Sequence, residues 1–353
     1  MMGFFGGKKK MVLGLDIGTS AVKFADLKDT GRGYQIDNMG LTPLPPETIV
    51  DGSLMDATTV VEAIGELISH YKIKKREVAV SVSGHSVIVK KITLPKMTES
   101  ELEENIMVEA ERYISFDIND VSLDFQILST PEKDMGEHME VLLVAAKKDF
   151  VNDYITIVRE AGLSPMIIDI DAFALENVYE LNYPLEIGDL VALCDIGASI
   201  MNLNIVRGGK SLFTRDISIG GNLYTEEIQK ELSVNFEEAE GLKLGGSSEK
   251  GSPHVIDKVF NKVSSNIALE IAKSLDFFTA TFPDEKVARL YLTGGCAKAA
   301  RLKEIVHERV NIPVDILNPF ANIAVNPRVV DPEYLKEISS LMTVSVGLAS
   351  RRI

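Results

Sequence analysis

One pattern occurs twice in this chain and restricts its fold more than any other feature. The run MVLGLDIG (11–18) reads as a buried strand ending at glycine, and AVKFADL (21–27) begins a second strand after only two residues. VALCDIGASIMNLNIVRGG (191–209) repeats the order of apolar strand, D-I-G, small hydroxyl-bearing turn and apolar strand. Asp16 and Asp195 therefore stand half a chain apart in matching contexts, which argues for a duplicated unit rather than two chance hairpins. A length of 353 residues leaves room for two such halves, since single cores stop growing at shorter lengths.

A D-I-G-T-S turn between antiparallel strands has the parts of an anion cradle. Gly18 lacks a Cβ, so a phosphate can approach the backbone, and the N–H groups of Gly18, Thr19 and Ser20 can converge on it. A carboxylate beside phosphate needs a divalent cation between them, which suits Asp16 to bind Mg2+ through water. Asp195, Gly197, Ala198 and Ser199 offer the same parts from the other half. Two such hairpins facing one another would clamp the phosphate tail of a nucleotide. A third element, LTGGCAKAARL (292–302), reads as a strand whose Gly294 and Gly295 open into a helix, where a flat ligand can approach the backbone.

The remaining segments fall around these motifs. Val60, Ile64, Leu67 and Ile68 have helical spacing within 57–71, and VAVSVS (78–83) reads as a strand. The stretch 85–165 differs in texture, with strands at 87–94, 123–128 and 141–146. Its first helix carries the T-x-x-E box of Thr98 and Glu101, and its second runs from 149 to 160 and ends at Gly162. It reads as a small α+β unit inserted in the first half. Farther on, Asn235 and Glu238 cap a helix, 244–253 reads as a mobile loop, a long helix spans 263–282, and 340–351 packs as a last core helix. The expected organisation is an arm at 1–10, a first half at 11–180 with its insertion at about 85–165, and a second half at 181–353.

Composition excludes several functions. A formal charge of −15 disfavours nucleic acid and anionic lipid as default partners, although a local basic patch can oppose that trend. Cys194 and Cys296 each sit in apolar runs, as buried thiols in a reducing cytosol do. No apolar stretch approaches the roughly 20 residues of a membrane helix, and MMGFFGGKKK is too short in apolar residues for a secretory signal; it reads as a frayed arm, with contact of Phe4, Phe5 and its three lysines with a membrane surface as the alternative. The five histidines show no metal-ligand spacing, and no P-loop or G-x-S-x-G occurs. A cytoplasmic protein follows from this reading.

LGLDIGTSAVKFADL, VALCDIGASIMNLNIV and YLTGGCAKAARL resemble, in order, the first-phosphate, second-phosphate and adenosine motifs of the actin/heat-shock-70/sugar-kinase superfamily. KITLPKMTESELEENIMVEAERYISFDINDVSLDFQIL and DISIGGNLYTEEIQKEL are similar more narrowly to the PilM family of actin-like type IV pilus assembly proteins, and less so to FtsA cell-division proteins. The resemblance implies an α/β fold of two duplicated, ribonuclease H-like halves with an α+β insertion in the first, and ATP and Mg2+ as cofactors. It assigns Gly220 and Gly221 to the glycine pair after the second phosphate loop, and Glu240 and Lys243 of NFEEAEGLKL to the ribose and adenine. Lys298 joins the nucleotide-binding set within the adenosine motif. IDIDAFALEN (168–177) resembles the helix connecting the halves, so a catalytic acid would fall on Asp169, with Asp171 next. The E-P pair found there in heat-shock-70 proteins and FtsA is missing, which leaves ATP hydrolysis open.

The same resemblance implies a partner, the cytoplasmic N-terminal peptide of PilN, docked near the insertion. It further implies a ring-like or filament-like assembly under the inner membrane, beside PilO and the pilus motor ATPases; the acidic charge balance, separately, argues against nucleic acid as a partner. Two alternatives stay open. A small-molecule kinase shares the fold but needs a catalytic base that the insertion lacks. An FtsA-like division protein is expected to end in an amphipathic helix, whereas this chain ends in GLASRRI.

Overall fold

The computed structural model describes residues 10–128, 136–184, 188–247, 251–327 and 330–353. The expected arm at 1–10 falls outside these except for Lys10, as does part of the loop expected at 244–253. In chain order the first part contributes β1 (Leu13–Ile17), β2 (Ala21–Asp29), β3 (Tyr34–Pro43), the short pair β4 (Ile49–Val50) and β5 (Ser53–Leu54), α1 (Ala57–His70), β6 (Glu77–Val82) and β7 (Val87–Pro95). Next come α2 (Glu99–Ala110), β8 (Val121–Ile127), β9 (His138–Lys147), α3 (Lys148–Glu160), β10 (Ser164–Ile170) and α4 (Asp171–Asn182). The second part follows with β11 (Leu190–Ile196), β12 (Met201–Arg207), β13 (Lys210–Ile217), α5 (Asn222–Leu232), α6 (Phe236–Lys243) and α7 (Pro253–Thr281). It ends with β14 (Val287–Thr293), α8 (Leu302–Val310), β15 (Val314–Ile316), β16 (Ile323–Val325), α9 (Pro332–Ile338) and α10 (Thr343–Ala349).

Sheet topology carries the duplication. The first sheet has the order β10-β6-β1-β2-β3-β16 and the second β13-β12-β11-β14-β15. Read from the D-I-G strand outwards, β1 pairs antiparallel with β2 and parallel with β6, and β11 pairs antiparallel with β12 and parallel with β14. Both D-I-G strands are central and nearly continuous in apolar residues, as strands covered on both faces require. The α/β fold of two duplicated halves is therefore present, and so is the insertion: β7, β8 and β9 form a separate sheet backed by α2. Thr98 and Glu101 close the expected capping box on α2.

Three cores and a middle layer hold the elements together. One core lies between the first sheet and helices α1 and α3, another between the second sheet and α5, α7 and α8, and a third inside the insertion. Between the two sheets, α4 and α10 form a shared layer with apolar residues from both.

Several boundaries differ from expectation. The helix α3 lies within the span 85–165, yet Phe150, Tyr154 and Ile157 pack on the first sheet rather than inside the insertion. Its apolar stripe fits that sheet, which a reading of texture along the chain does not reveal. The final residues also leave the second half: β16 pairs with β3, and every residue of α10 is buried, against β1 and α4. The long helix starts at Pro253 rather than 263, because proline at the first helical position is a start signal.

Glycines set how closely α10 approaches. A Cβ on Gly14 of β1 would lie 2.0 Å from the Ser345 carbonyl oxygen, and one on Gly347 would lie 2.0 Å from that of Ala174. Gly65, in the middle of α1, has nothing within 4 Å of its Cβ position. Gly347→Ala should therefore lower stability by about 1–3 kcal/mol through overpacking. Gly65→Ala should raise it by about 0.5–1 kcal/mol through helix propensity. Urea midpoints followed by circular dichroism separate the two, and equal effects would contradict the packing of α10.

Candidate nucleotide site

The two D-I-G turns have the same local hydrogen bonding. The Gly18 N–H donates to the Ala21 carbonyl at 3.1 Å, and the Gly197 N–H donates to that of Ile200 at 3.0 Å. This corrects one expectation: the Gly18 amide closes the turn and is not offered to an anion. The amides of Thr19, Ser20, Ala198 and Ser199 have no protein acceptor among the described residues. The tips meet across the cleft, with Thr19 Oγ1 2.7 Å from Ser199 Oγ.

Behind the tips the cleft collects charge. Asp16, Asp171, Asp195 and Lys23 line it together, with Ser81, Ser83 and Tyr154. The Lys23 ammonium donates to Asp16 at 2.7 Å, and the Ser81 hydroxyl donates to Asp171. Burial, then the charges of Asp171 and Asp16, push Asp195 up to about 7, with Lys23 opposing. Burial and the charge of Asp16 push Asp171 up to about 6, against hydrogen bonds from Ser81 and Ser83. Burial alone would lower the Lys23 ammonium, but Asp16, Asp195 and Asp171 outweigh it and hold that group above its ordinary value. One cation therefore serves three carboxylates.

The glycines fit the second turn tightly. Gly294, at φ +89°, leaves room for Asp195, whose Oδ1 would lie 2.4 Å from a Cβ there. Gly220 and Gly221 pack behind the second loop: a Cβ on Gly220 would meet the carbonyl oxygens of Gly197 and Ala198, and the Gly221 N–H donates to Gly197 at 2.9 Å. The N-terminus of α5 follows at once, which favours negative charge beside this loop. Gly294 and Gly295 do not open directly into a helix, since a run of turns separates them from α8.

The remaining expected residues divide. Glu240 and Lys243 form an ion pair at 2.6 Å, bonded through Thr225 and beside Gly221, so they adjoin the second loop. Lys298 does not point there. Its ammonium donates to the carbonyls of Lys336 and Glu337, as cations do at a helix C-terminus. Asp169 is also misplaced as a catalytic acid. Its carboxylate accepts from Arg351 Nε at 2.6 Å and lines a separate groove, while Asp171, at the start of α4, faces the cleft. Lys23, Ser81 and Ser83 were missed. Lys23 had a signal, because a lysine inside the apolar run AVKFADL must be paired when buried.

A divalent cation suits the donor chemistry in one respect, since three carboxylates share the single ammonium of Lys23. Among the described residues no three His, Cys, Asp or Glu side chains group closely enough to hold a metal directly. Only a hydrated ion held by few protein oxygens fits, as Mg2+ commonly is beside phosphate.

Comparison with known proteins agrees with this architecture. The family model described as type IV pilus assembly protein PilM matches residues 14–353. A solved PilM–PilN type IV pilus biogenesis complex contains a chain 30% identical to this one, with TM-score 0.85, covering 97% of this chain and 98% of that one. MreB5 of Spiroplasma citri, solved bound to AMPPNP, shares the fold at 14% identity and TM-score 0.52, over 97% and 95% of the two chains. The cell-division protein FtsA of Streptococcus pneumoniae is 26% identical over 65% of this chain and 54% of its own length. That of Bacillus subtilis is 25% identical over 66% and 57%. The chain thus spans little more than half the length of these two relatives. With the family match covering nearly all of its residues, the chain belongs to the PilM family of type IV pilus assembly proteins.

Proposed function

We propose that the chain binds Mg2+–ATP between its two acidic turns, and that the resulting angle between the halves governs a groove for a PilN-type peptide. The observation that carries the first part is the meeting of the turns, with Thr19 and Ser199 in contact above Asp16, Asp171 and Asp195. Asp16 and Asp195 would hold the hydrated magnesium, which supplies the positive charge that phosphate and carboxylates both need. The amides of Thr19, Ser20, Ala198 and Ser199 and the Lys23 ammonium would take phosphate oxygens. Gly220, Gly221, Glu240, Lys243, Gly294 and Gly295 border the space for the nucleoside. If hydrolysis occurs, Asp171 is the carboxylate placed to orient water. Nucleotide favouring one angle of the halves is sufficient for coupling, provided its affinity differs between the two.

The peptide groove lies between the insertion and the first sheet. Leu123, Val144, Val151, Ile168 and Phe173 give it apolar walls, and Asp124, Asp169 and Arg351 give it charge. It follows β10, an edge strand, so an extended or amphipathic segment has both backbone and side-chain partners. The similarity to the PilM–PilN complex supports a cytoplasmic peptide of PilN as occupant. On this reading the protein sits at the cytoplasmic side of the inner membrane through that partner, with PilO, the motor ATPases and further copies of itself as neighbours.

Calorimetry with Mg2+–ATP tests the site through Asp195→Asn, which should weaken binding by about 10–100-fold. Undiminished affinity would remove Asp195 from it. The same variant tests the charge crowding without ligand. Asp195 is raised, so its ionisation costs the folded state nothing below the ordinary value of 3.8 and most above about 7. Asp195→Asn should therefore melt increasingly above the wild type as pH rises through that window, then level off. A constant difference would contradict the crowding.

Ser122 is exposed on β8 at the rim of the groove. Ser122→Trp should lower affinity for a synthetic PilN N-terminal peptide by about tenfold or more (about 1.4 kcal/mol) and leave Mg2+–ATP binding unchanged. Unaltered peptide affinity would place the peptide elsewhere.

A further inference from the structure

We propose that the end of the first sheet opposite the nucleotide cleft is a cationic face that seats on an anionic lipid surface. The strands β1, β6 and β10 are parallel and begin at this end, and β2, antiparallel to β1, finishes there. Three connections therefore share it: the β2–β3 hairpin, the turn from α1 into β6, and the turn from α3 into β10. Direct contacts join them, since Lys10 pairs with Glu77, the Ser164 N–H donates to the Arg76 carbonyl, and Arg352 pairs with Asp29.

The charge on these connections runs against that of the chain. The turn after α1 reads Lys72-Ile73-Lys74-Lys75-Arg76. Lys75 is paired with Asp26, and Lys10 and Arg352 are paired as above. Lys28, Arg32, Lys72, Lys74, Arg76 and Arg159 are all exposed, and none has a carboxylate partner among the described residues. Asp37, Glu66 and Glu160 are exposed acids on the adjoining strands and helices. Lys72 and Arg76 also border a shallow hollow between the ends of α1 and α3, where helix C-termini favour cations. In a chain of formal charge −15, such a concentration is not an average surface.

Several observations favour a lipid surface over another polyanion. The sequence leading into Lys10 is Phe4-Phe5-Gly6-Gly7-Lys8-Lys9, so aromatic residues adjoin lysines, a combination suited to a headgroup layer rather than to a phosphate backbone. The face is also continuous with the peptide groove. Arg351 and Arg352 line that groove, while Ile353 exchanges backbone hydrogen bonds with Lys10 at 2.9 Å. A partner tethered in a membrane and held in the groove would thus bring this end towards the bilayer. The net negative charge does not forbid it, because at physiological salt charges more than about 8 Å from the surface are screened.

Flotation with vesicles tests the assignment on the full chain without any partner. Phosphatidylcholine vesicles should not bind it, whereas a phosphatidylcholine–phosphatidylglycerol mixture should, with binding that falls as salt rises. Lys72→Gln, Lys74→Gln and Arg76→Gln combined should reduce partition to the mixed vesicles by about a hundredfold, with thermal midpoint and peptide affinity preserved. Binding that ignores phosphatidylglycerol, that survives the triple variant, or that is absent from both vesicles would overturn the proposal. Fluorescence anisotropy with duplex DNA covers the remaining polyanion: binding to DNA and not to vesicles would also overturn it.

Discussion

Two helices occupy the space where the two sheets would otherwise face each other, and their closeness to those sheets determines everything built above them. One of the two, α4, begins with Asp171 in the cleft, and α10 runs into Arg351, which holds Asp169. The contacts that let α10 lie against β1 and α4 are made where Gly14 and Gly347 remove a side chain. The angle between the D-I-G turns is therefore inherited from packing far from the phosphates. A shift of this layer would move Asp16 relative to Asp195 without touching either.

Electrostatics then makes the cleft poor in countercharge. Three carboxylates with one ammonium is an arrangement that folding alone does not favour, because each buried charge raises the cost of the next. The surrounding fold tolerates the cost, as strained or frustrated positions generally persist where a ligand relieves them. Lys23 neutralises part of the crowd by holding Asp16, while burial and neighbouring charge raise Asp195 and Asp171.

What could be read from residues alone followed from how local each feature is. The D-I-G turns, the capping box at Thr98 and the strands of the insertion depend on neighbours in sequence, and the structure has them. The resemblance ranks Asp169 before Asp171, and the structure reverses that order, because the choice depends on where β10 gives way to α4 and on Arg351, distant in sequence. Lys298 departs from its expected place for the same reason, since the carbonyls it caps belong to α9. Lys23 was legible in principle, as a charge in an apolar strand, but its partner is named only by the fold. The span of α3 shows the limit of texture: an amphipathic helix announces that it will pack, not on which sheet.

The burial of α10 against β1 has a consequence for how the chain is made. The strand β1 is covered by a helix that is translated after all the other described strands and helices. Until then the apolar face of β1 and its neighbours lacks its lid, and the N-terminal half cannot finish folding by itself during synthesis. Completion awaits the arrival of residues 343–349, so a nascent chain keeps that apolar face uncovered while every described element between β1 and α10 is being made.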